Sequence, residues 1–180
     1  ITRSCAAASR TMPRHRGTEQ ATTRRASARM IGMNTPSAQT NPAGHSDQPQ
    51  PAEGYAGNVS PQLAWQWVQA GEAVMIDVRT DAEREWVGFV PGAVAVAWKQ
   101  WPGMAMNASF DEALRAAIPP GGKAVMLCRS GVRSVAAAKR ATELGITAYN
   151  ILEGFEGDVD ANGQRNRLGG WRFHGMPWRQ

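Results

Sequence analysis

Two short apolar runs, each passing into a helical pattern within a few residues, constrain this chain most. Ala73-Val74-Met75-Ile76-Asp77-Val78 and Ala124-Val125-Met126-Leu127 show no alternation of apolar and polar residues. Runs of that kind read as strands of a parallel sheet, buried on both faces. Before the first, Ser60-Pro61 is an N-cap with proline at the opening helical position, and Leu63, Trp67 and Ala70 recur at helical spacing until Gly71. After it, Thr80-Asp81-Ala82-Glu83 can cap a short helix through Trp86, and Pro91-Gly92 turns into a strand over Ala93–Val96. Ser109 to Ala117 is predicted as a helix with Asp111 and Glu112 in its first turn, stopped by Pro119-Pro120-Gly121-Gly122. A helix from Val132 or Arg133 through Leu144 ends at Gly145, and Ala148–Ile151 is a last strand. Alternating strands and helices imply an α/β fold, a central parallel sheet with helices on both faces.

Composition matters chiefly for what surrounds that pattern. The 180 residues suffice for one domain with some excess. Residues 1–56, rich in Ala, Ser, Thr, Gln, Pro and Arg without apolar period, are expected to be a disordered tail, and residues 57–180 the domain. The net charge of +5 is misleading: the first 30 residues hold seven arginines and one acid, while the rest holds thirteen basic and fourteen acidic groups. The domain therefore carries no charge signature of a nucleic-acid face. The tail has the composition of an organelle transit peptide, or residues 1–32 are an extension upstream of a start at Met33. It holds no apolar segment of a secretory signal. No stretch approaches the ~20 apolar residues of a membrane span. Two cysteines, Cys5 and Cys128, exclude a disulfide-dense scaffold and a multi-cysteine zinc site. The three histidines, His15, His45 and His174, are scattered, so neither metal nor cofactor is expected. Seven tryptophans read as core and rim packing, a few of them at a pocket mouth. Asp158 to Gly163 reads as a turn, since the closing glutamate of a calcium loop is missing.

One segment carries chemistry. In Leu127-Cys128-Arg129-Ser130-Gly131-Val132-Arg133-Ser134 a buried strand runs through a short loop straight into a helix. Cys128 thus sits at the carboxyl end of a strand, where open α/β sheets bind ligands. Gly131 lets the main chain curl, and loop amides above a helix N-terminus form an anion cradle. Arg129 and Arg133 add positive charge. A helix N-terminus with nearby arginine favours the thiolate, the nucleophilic form. The plainer alternative is a buried structural cysteine that happens to end a strand.

The segment Cys128 to Ser134 resembles the active-site loop of single-domain rhodaneses, the thiosulfate sulfurtransferases. The resemblance extends across roughly Asn58 to Gln180. Asp77-Val78-Arg79 is similar to an Asp-Val-Arg of that family, and Glu83 with Gly88-Phe89-Val90-Pro91-Gly92-Ala93 to its Glu and Gly-His-Ile-Pro-Gly-Ala. Leu152-Glu153-Gly154-Phe155-Glu156-Gly157-Asp158 and the ending Gly170-Trp171 to Pro177-Trp178 look like a bacterial subgroup. Phe89 stands where the family has histidine, so the hydrogen bond of that histidine is lost, and Val94-Ala95-Val96 follows where an asparagine is common.

The resemblance implies a rhodanese-like three-layer fold and a two-step sulfur transfer through a persulfide on Cys128. Thiosulfate or a similar small anionic donor supplies the sulfur, and cyanide or a thiol accepts it, including one on a thioredoxin-like protein. It implies that backbone amides of residues 129–133 (Arg129, Ser130, Gly131, Val132, Arg133) bind the terminal sulfur, that Arg129 faces the donor and that Arg133 pairs with Glu83. Asp77 and Arg79 could line the rim or form a salt bridge that fixes the loop. A lone reactive thiol fits a reducing cytoplasm. A phosphatase or arsenate reductase of related fold has five residues between Cys and Arg, whereas four separate Cys128 from Arg133. A non-catalytic binding module of this fold is the other alternative, and the retained cysteine speaks against it.

Overall fold

The computed structural model describes residues 47–180. A hairpin opens the domain: β1 (Gln50–Ala52) runs antiparallel to β2 (Tyr55–Val59). Helix α1 (Pro61–Gln69) follows, with Ser60 Oγ accepting the Leu63 amide at 3.1 Å. Strand β3 (Ala73–Asp77) leads to α2 (Asp81–Val87), then β4 (Val94–Ala95). A two-stranded excursion, β5 (Lys99–Gln100) with β6 (Ala105–Met106), precedes α3 (Phe110–Ala117). The chain closes with β7 (Lys123–Leu127), α4 (Val132–Glu143) and β8 (Thr147–Ile151), then an irregular C-terminal segment. The main sheet has the order β1-β2-β8-β7-β3-β4 and is parallel from β2 to β4.

The uninterrupted apolar runs behave as their pattern requires. Ile76, Val78, Met126 and Cys128 point to one face, where Leu114 of α3 and Ala137, Ala138 and Ala141 of α4 cover them. Met75, Val125 and Leu127 point to the other, against Leu63 and Ala64 of α1 and against Phe155 and Trp171. Every residue of these strands therefore meets a packed layer, because successive side chains alternate between faces that are both buried. The fully buried alanines of α4 let that helix lie close over the site-bearing strands.

The tail expected over residues 1–56 is corrected at its end, since residues 50–56 belong to the sheet. They lack an apolar period because β1 is an exposed edge strand, held by backbone pairing and not by burial. Gly57 permits the pairing: a methyl there would lie 2.6 Å from the Gln50 carbonyl oxygen. The rest of the expected tail, with Cys5, His15, His45 and the transit-like arginines, lies outside the described residues. No helix among the described residues is long and apolar enough to cross a membrane.

Candidate active site

Strands β3 and β7 are neighbours in register, with Asp77 opposite Leu127. Their carboxyl ends therefore bring Asp77-Val78-Arg79 beside Cys128, and the Val78 amide donates to the Leu127 carbonyl at 2.8 Å. From Cys128 the loop reaches α4 at Val132. Gly131, the N-cap, adopts φ +98°, a conformation side-chain-bearing residues avoid. That turn directs the Gly131 amide onto Cys128 Sγ at 3.1 Å. The Ser134 hydroxyl lies 3.2 Å from the same sulfur. Cys128 is only 1% exposed, yet it lines a cavity of about 520 Å³. Arg129, Ser130, Val132 and Arg133 line it too, and Val132 is exposed at 76%. Gly131 contributes its amide and not a wall.

The charged residues divide into paired and unpaired sets. Arg133 grips Glu83 with two parallel bonds of 2.7 and 2.5 Å. Glu83 belongs to the capping box of α2, accepting from the Thr80 amide at 3.0 Å and the Thr80 hydroxyl at 2.9 Å. Burial pushes the Glu83 carboxyl up, but the Arg133 guanidinium and the Thr80 donors outweigh it and hold the group at about 2. The same pairing raises Arg133 further, so its charge is neutralised locally. Arg129 and Lys99, by contrast, form no ion pair among the described residues, and both line the cavity.

Asp77 and Arg79 do not line a rim. Both are buried, at 1% and 0% exposure, and are bonded to one another from Arg79 Nε at 3.0 and 3.1 Å and from Nη2 at 2.6 Å. Arg79 also donates to the Gly88 carbonyl at 2.9 Å, and its guanidinium stacks 3.9 Å above the Phe155 ring. The rim reading fails because the C-terminal segment, carrying Phe155, covers the pair. Phe89 is half exposed and makes a two-way backbone bridge with Arg179. His174 Nε2 meets Glu153 Oε2 at 2.7 Å. Asp160 Oδ1 accepts the Asn162 and Gln164 amides at 2.9 and 2.8 Å, which makes Asp158 to Gly163 a hydrogen-bonded turn.

Trp86 and Trp101 are among the tryptophans expected at a pocket mouth; the other residues of the site emerge only from the fold. Trp86, Trp101 and Met104 wall the cavity, the last two from the β5–β6 excursion. A second loop braces the first: the Phe155 amide donates to the Cys128 carbonyl at 2.7 Å, and the Glu156 amide to the Arg129 carbonyl at 2.9 Å. Gly154 makes this approach possible, since a methyl there would lie 2.5 Å from the Cys128 carbonyl oxygen. The glycine-rich run Glu153 to Asp158 was the available signal. For Ser134 and its partner Asn150, 2.6 Å away, only the position of Ser134 after the loop hinted at a role.

Together these features define a three-layer α/β domain with a buried cysteine cradled at a strand-to-helix junction and, above it, a cavity lined by Arg129 and Lys99. Residues 60–161 match the rhodanese-like domain family, and the chain belongs to that family. Protein Rv0390 from M. tuberculosis is 44% identical in its crystal structure, with a TM-score of 0.64 over 70% of this chain and 98% of that one. Protein RC0915 of Rickettsia conorii is 32% identical over 111 residues, covering 59% of this chain and 82% of the relative. A Rickettsia montanensis protein, described by its place in the dnaA 5' region, is equally similar over the same shares.

Proposed function

We propose that this protein is a sulfurtransferase, moving sulfane sulfur from thiosulfate or a similar anionic donor to a thiol or cyanide acceptor through a persulfide on Cys128. The observation that carries this reading is the sulfur itself, at the wall of a cavity and receiving the Gly131 amide at 3.1 Å. In the first step the Cys128 thiolate attacks the outer sulfur of the donor. A sulfur–sulfur bond forms, the donor's own sulfur–sulfur bond breaks, and sulfite leaves with the electron pair. In the second step an acceptor thiolate or cyanide attacks the terminal sulfur, taking it as persulfide or thiocyanate and returning the Cys128 thiolate.

Arg129, unpaired at the cavity, attracts the donor's sulfonate. Arg133 and Glu83 hold the loop in place. The acceptor is a thiol, small or carried on a thioredoxin-like protein, in a reducing cytoplasm. Hydrolysis of phosphate esters is the less favoured chemistry. It needs an arginine fork free to clasp a tetrahedral oxyanion, and the fork of Arg133 is already closed on Glu83.

Intact mass after incubation with thiosulfate tests the proposal. One sulfur atom added to the parent and none to Cys128→Ser is the expected result. A parent that takes up no sulfur overturns it, and release of phosphate from an aryl ester would transfer the assignment to the phosphatase.

A further inference from the structure

A polar chain, buried at its inner end, runs from the sulfur along one face of the sheet to β2. Ser134, in the first turn of α4, is fully buried, and Asn150 on β8 is 3% exposed. The Ser134 hydroxyl lies 2.6 Å from Asn150 Oδ1, 3.0 Å from the Gly131 carbonyl oxygen and 3.2 Å from Cys128 Sγ. It has one proton for these three acceptors. The Asn150 amide is fixed from behind, its Nδ2 donating at 2.8 Å to Asn58 Oδ1, which also accepts the Tyr55 hydroxyl at 2.8 Å. With Nδ2 committed to β2, Oδ1 faces Ser134 and holds the shortest of the three contacts.

We propose that Asn150 is a positioning residue that holds the proton of the Ser134 hydroxyl on itself and off the Cys128 sulfur in the resting protein. This rests on Cys128 being the nucleophile of the proposed function. When the thiol ionises, its proton leaves to solvent through the cavity. The Ser134 proton then turns from Asn150 Oδ1 to the negative sulfur, and Asn150 loses its donor. Ionisation therefore costs the site one buried hydrogen bond. Asn150 thereby moderates the reactivity of the Cys128 sulfur, which also limits its oxidation between turnovers.

The test is alkylation of the full chain by iodoacetamide, in which the carbon–sulfur bond forms as iodide leaves, read by mass on the Cys128 peptide over a pH series. Asn150→Ala frees the hydroxyl. Alkylation at neutral pH should rise about fivefold, what one ordinary hydrogen bond is worth, and the pH profile should move toward acid. Asn150→Leu, close to asparagine in shape but without an acceptor, should speed alkylation likewise, which covers the case of an Asn150→Ala protein that does not fold. Ser134→Ala should be slower than the parent, and adding Asn150→Ala to it should change nothing. An Asn150→Ala rate equal to or below the parent's overturns the proposal, as does equal acceleration with and without Ser134. Sulfur uptake is measured on the same samples. A parent with this alkylation pattern but no uptake leaves the role of Asn150 standing and removes the sulfurtransferase reading. Uptake with alkylation insensitive to Asn150 does the reverse.

Discussion

Gly154→Ala probes whether the second loop sets the position of the Cys128 sulfur. A methyl at Gly154 would lie 2.5 Å from the Cys128 carbonyl oxygen and 2.7 Å from both the Arg129 carbonyl carbon and the Ser130 nitrogen. Ordinary contact begins near 3.4 Å, so the backbone carrying Cys128 must retreat by about 0.9 Å. The substitution also forces alanine to φ +63°. Gly163 separates the two effects, for it has φ +75° and a methyl there would meet nothing within 4 Å. Gly163→Ala should therefore lose only the backbone term, ~1–2 kcal/mol, and keep full sulfur uptake. Gly154→Ala adds an overlap cost of ~1–3 kcal/mol, and its uptake rate should fall roughly 100-fold, the usual consequence of displacing a reacting group by about an ångström. Urea unfolding gives the stabilities, and intact mass against time after mixing with thiosulfate gives the rates. If Gly154→Ala matches Gly163→Ala in both, the brace does not position the sulfur.

Three other outcomes follow from the charges. The Glu83 carboxyl sits at about 2 in the fold against 4.5 as its ordinary value. A lowered carboxylate adds stability that is complete above the ordinary value and is lost as pH falls from there through about 2. The urea midpoint of Glu83→Gln should lie below the parent's at neutral pH and converge on it as acid protonates Glu83, and a gap that persists in strong acid contradicts the pairing. Asp77→Asn leaves the Arg79 charge buried without its partner and should cost ~3–5 kcal/mol, whereas a loss under ~1 kcal/mol would mean the pair is dispensable. Arg129→Met should leave the thermal midpoint unchanged and raise the KM for thiosulfate about tenfold, one charge-assisted hydrogen bond. The parent's KM should climb with ionic strength and the variant's should not; equal salt dependence would place the donor elsewhere.

Much of the architecture was legible because its signals are local. The doubly buried strands announce themselves by unbroken apolar runs, and Ser60 and Thr80 cap α1 and α2 through hydrogen bonds three residues long. The edge strand β1 and the β5–β6 excursion were not legible, because their pairing is with backbone and their side chains are largely exposed. The same divide runs through the site. Cys128 and its loop are contiguous and readable as one motif. Asn150, Gly154 and Trp101 join it from other elements, and nothing in their immediate neighbours says which loop they will face. Asp77 and Arg79 stood between two readings, rim or salt bridge, and their buried pair decides for the second. Their motif was visible, but their burial depends on Phe155, which arrives 76 residues after Arg79 in the chain and stacks on the guanidinium at 3.9 Å.

Under the proposed transfer one small site must both attract an anion and release one, and the disposition of charge suits both demands. A charge buried without a partner is costly, and the two arginines nearest the core are each closed on a carboxylate, Arg79 on Asp77 and Arg133 on Glu83. These pairs fix the loop geometry and add no net field. The attracting charges, Arg129 and Lys99, stand at the cavity where water still reaches. At the sulfur itself the donors are neutral: the Gly131 amide and, within reach, the Ser134 hydroxyl. Neutral donors stabilise a thiolate or a persulfide at short range. A guanidinium bonded directly to the Cys128 sulfur would hold the thiolate more tightly and raise the barrier to its attack on the donor. Under the proposed transfer, steering is thus assigned to the rim and stabilisation to the floor. Moving a free cation to the floor should slow the first half-reaction and leave the second, in which the Cys128 thiolate is the leaving group, no slower.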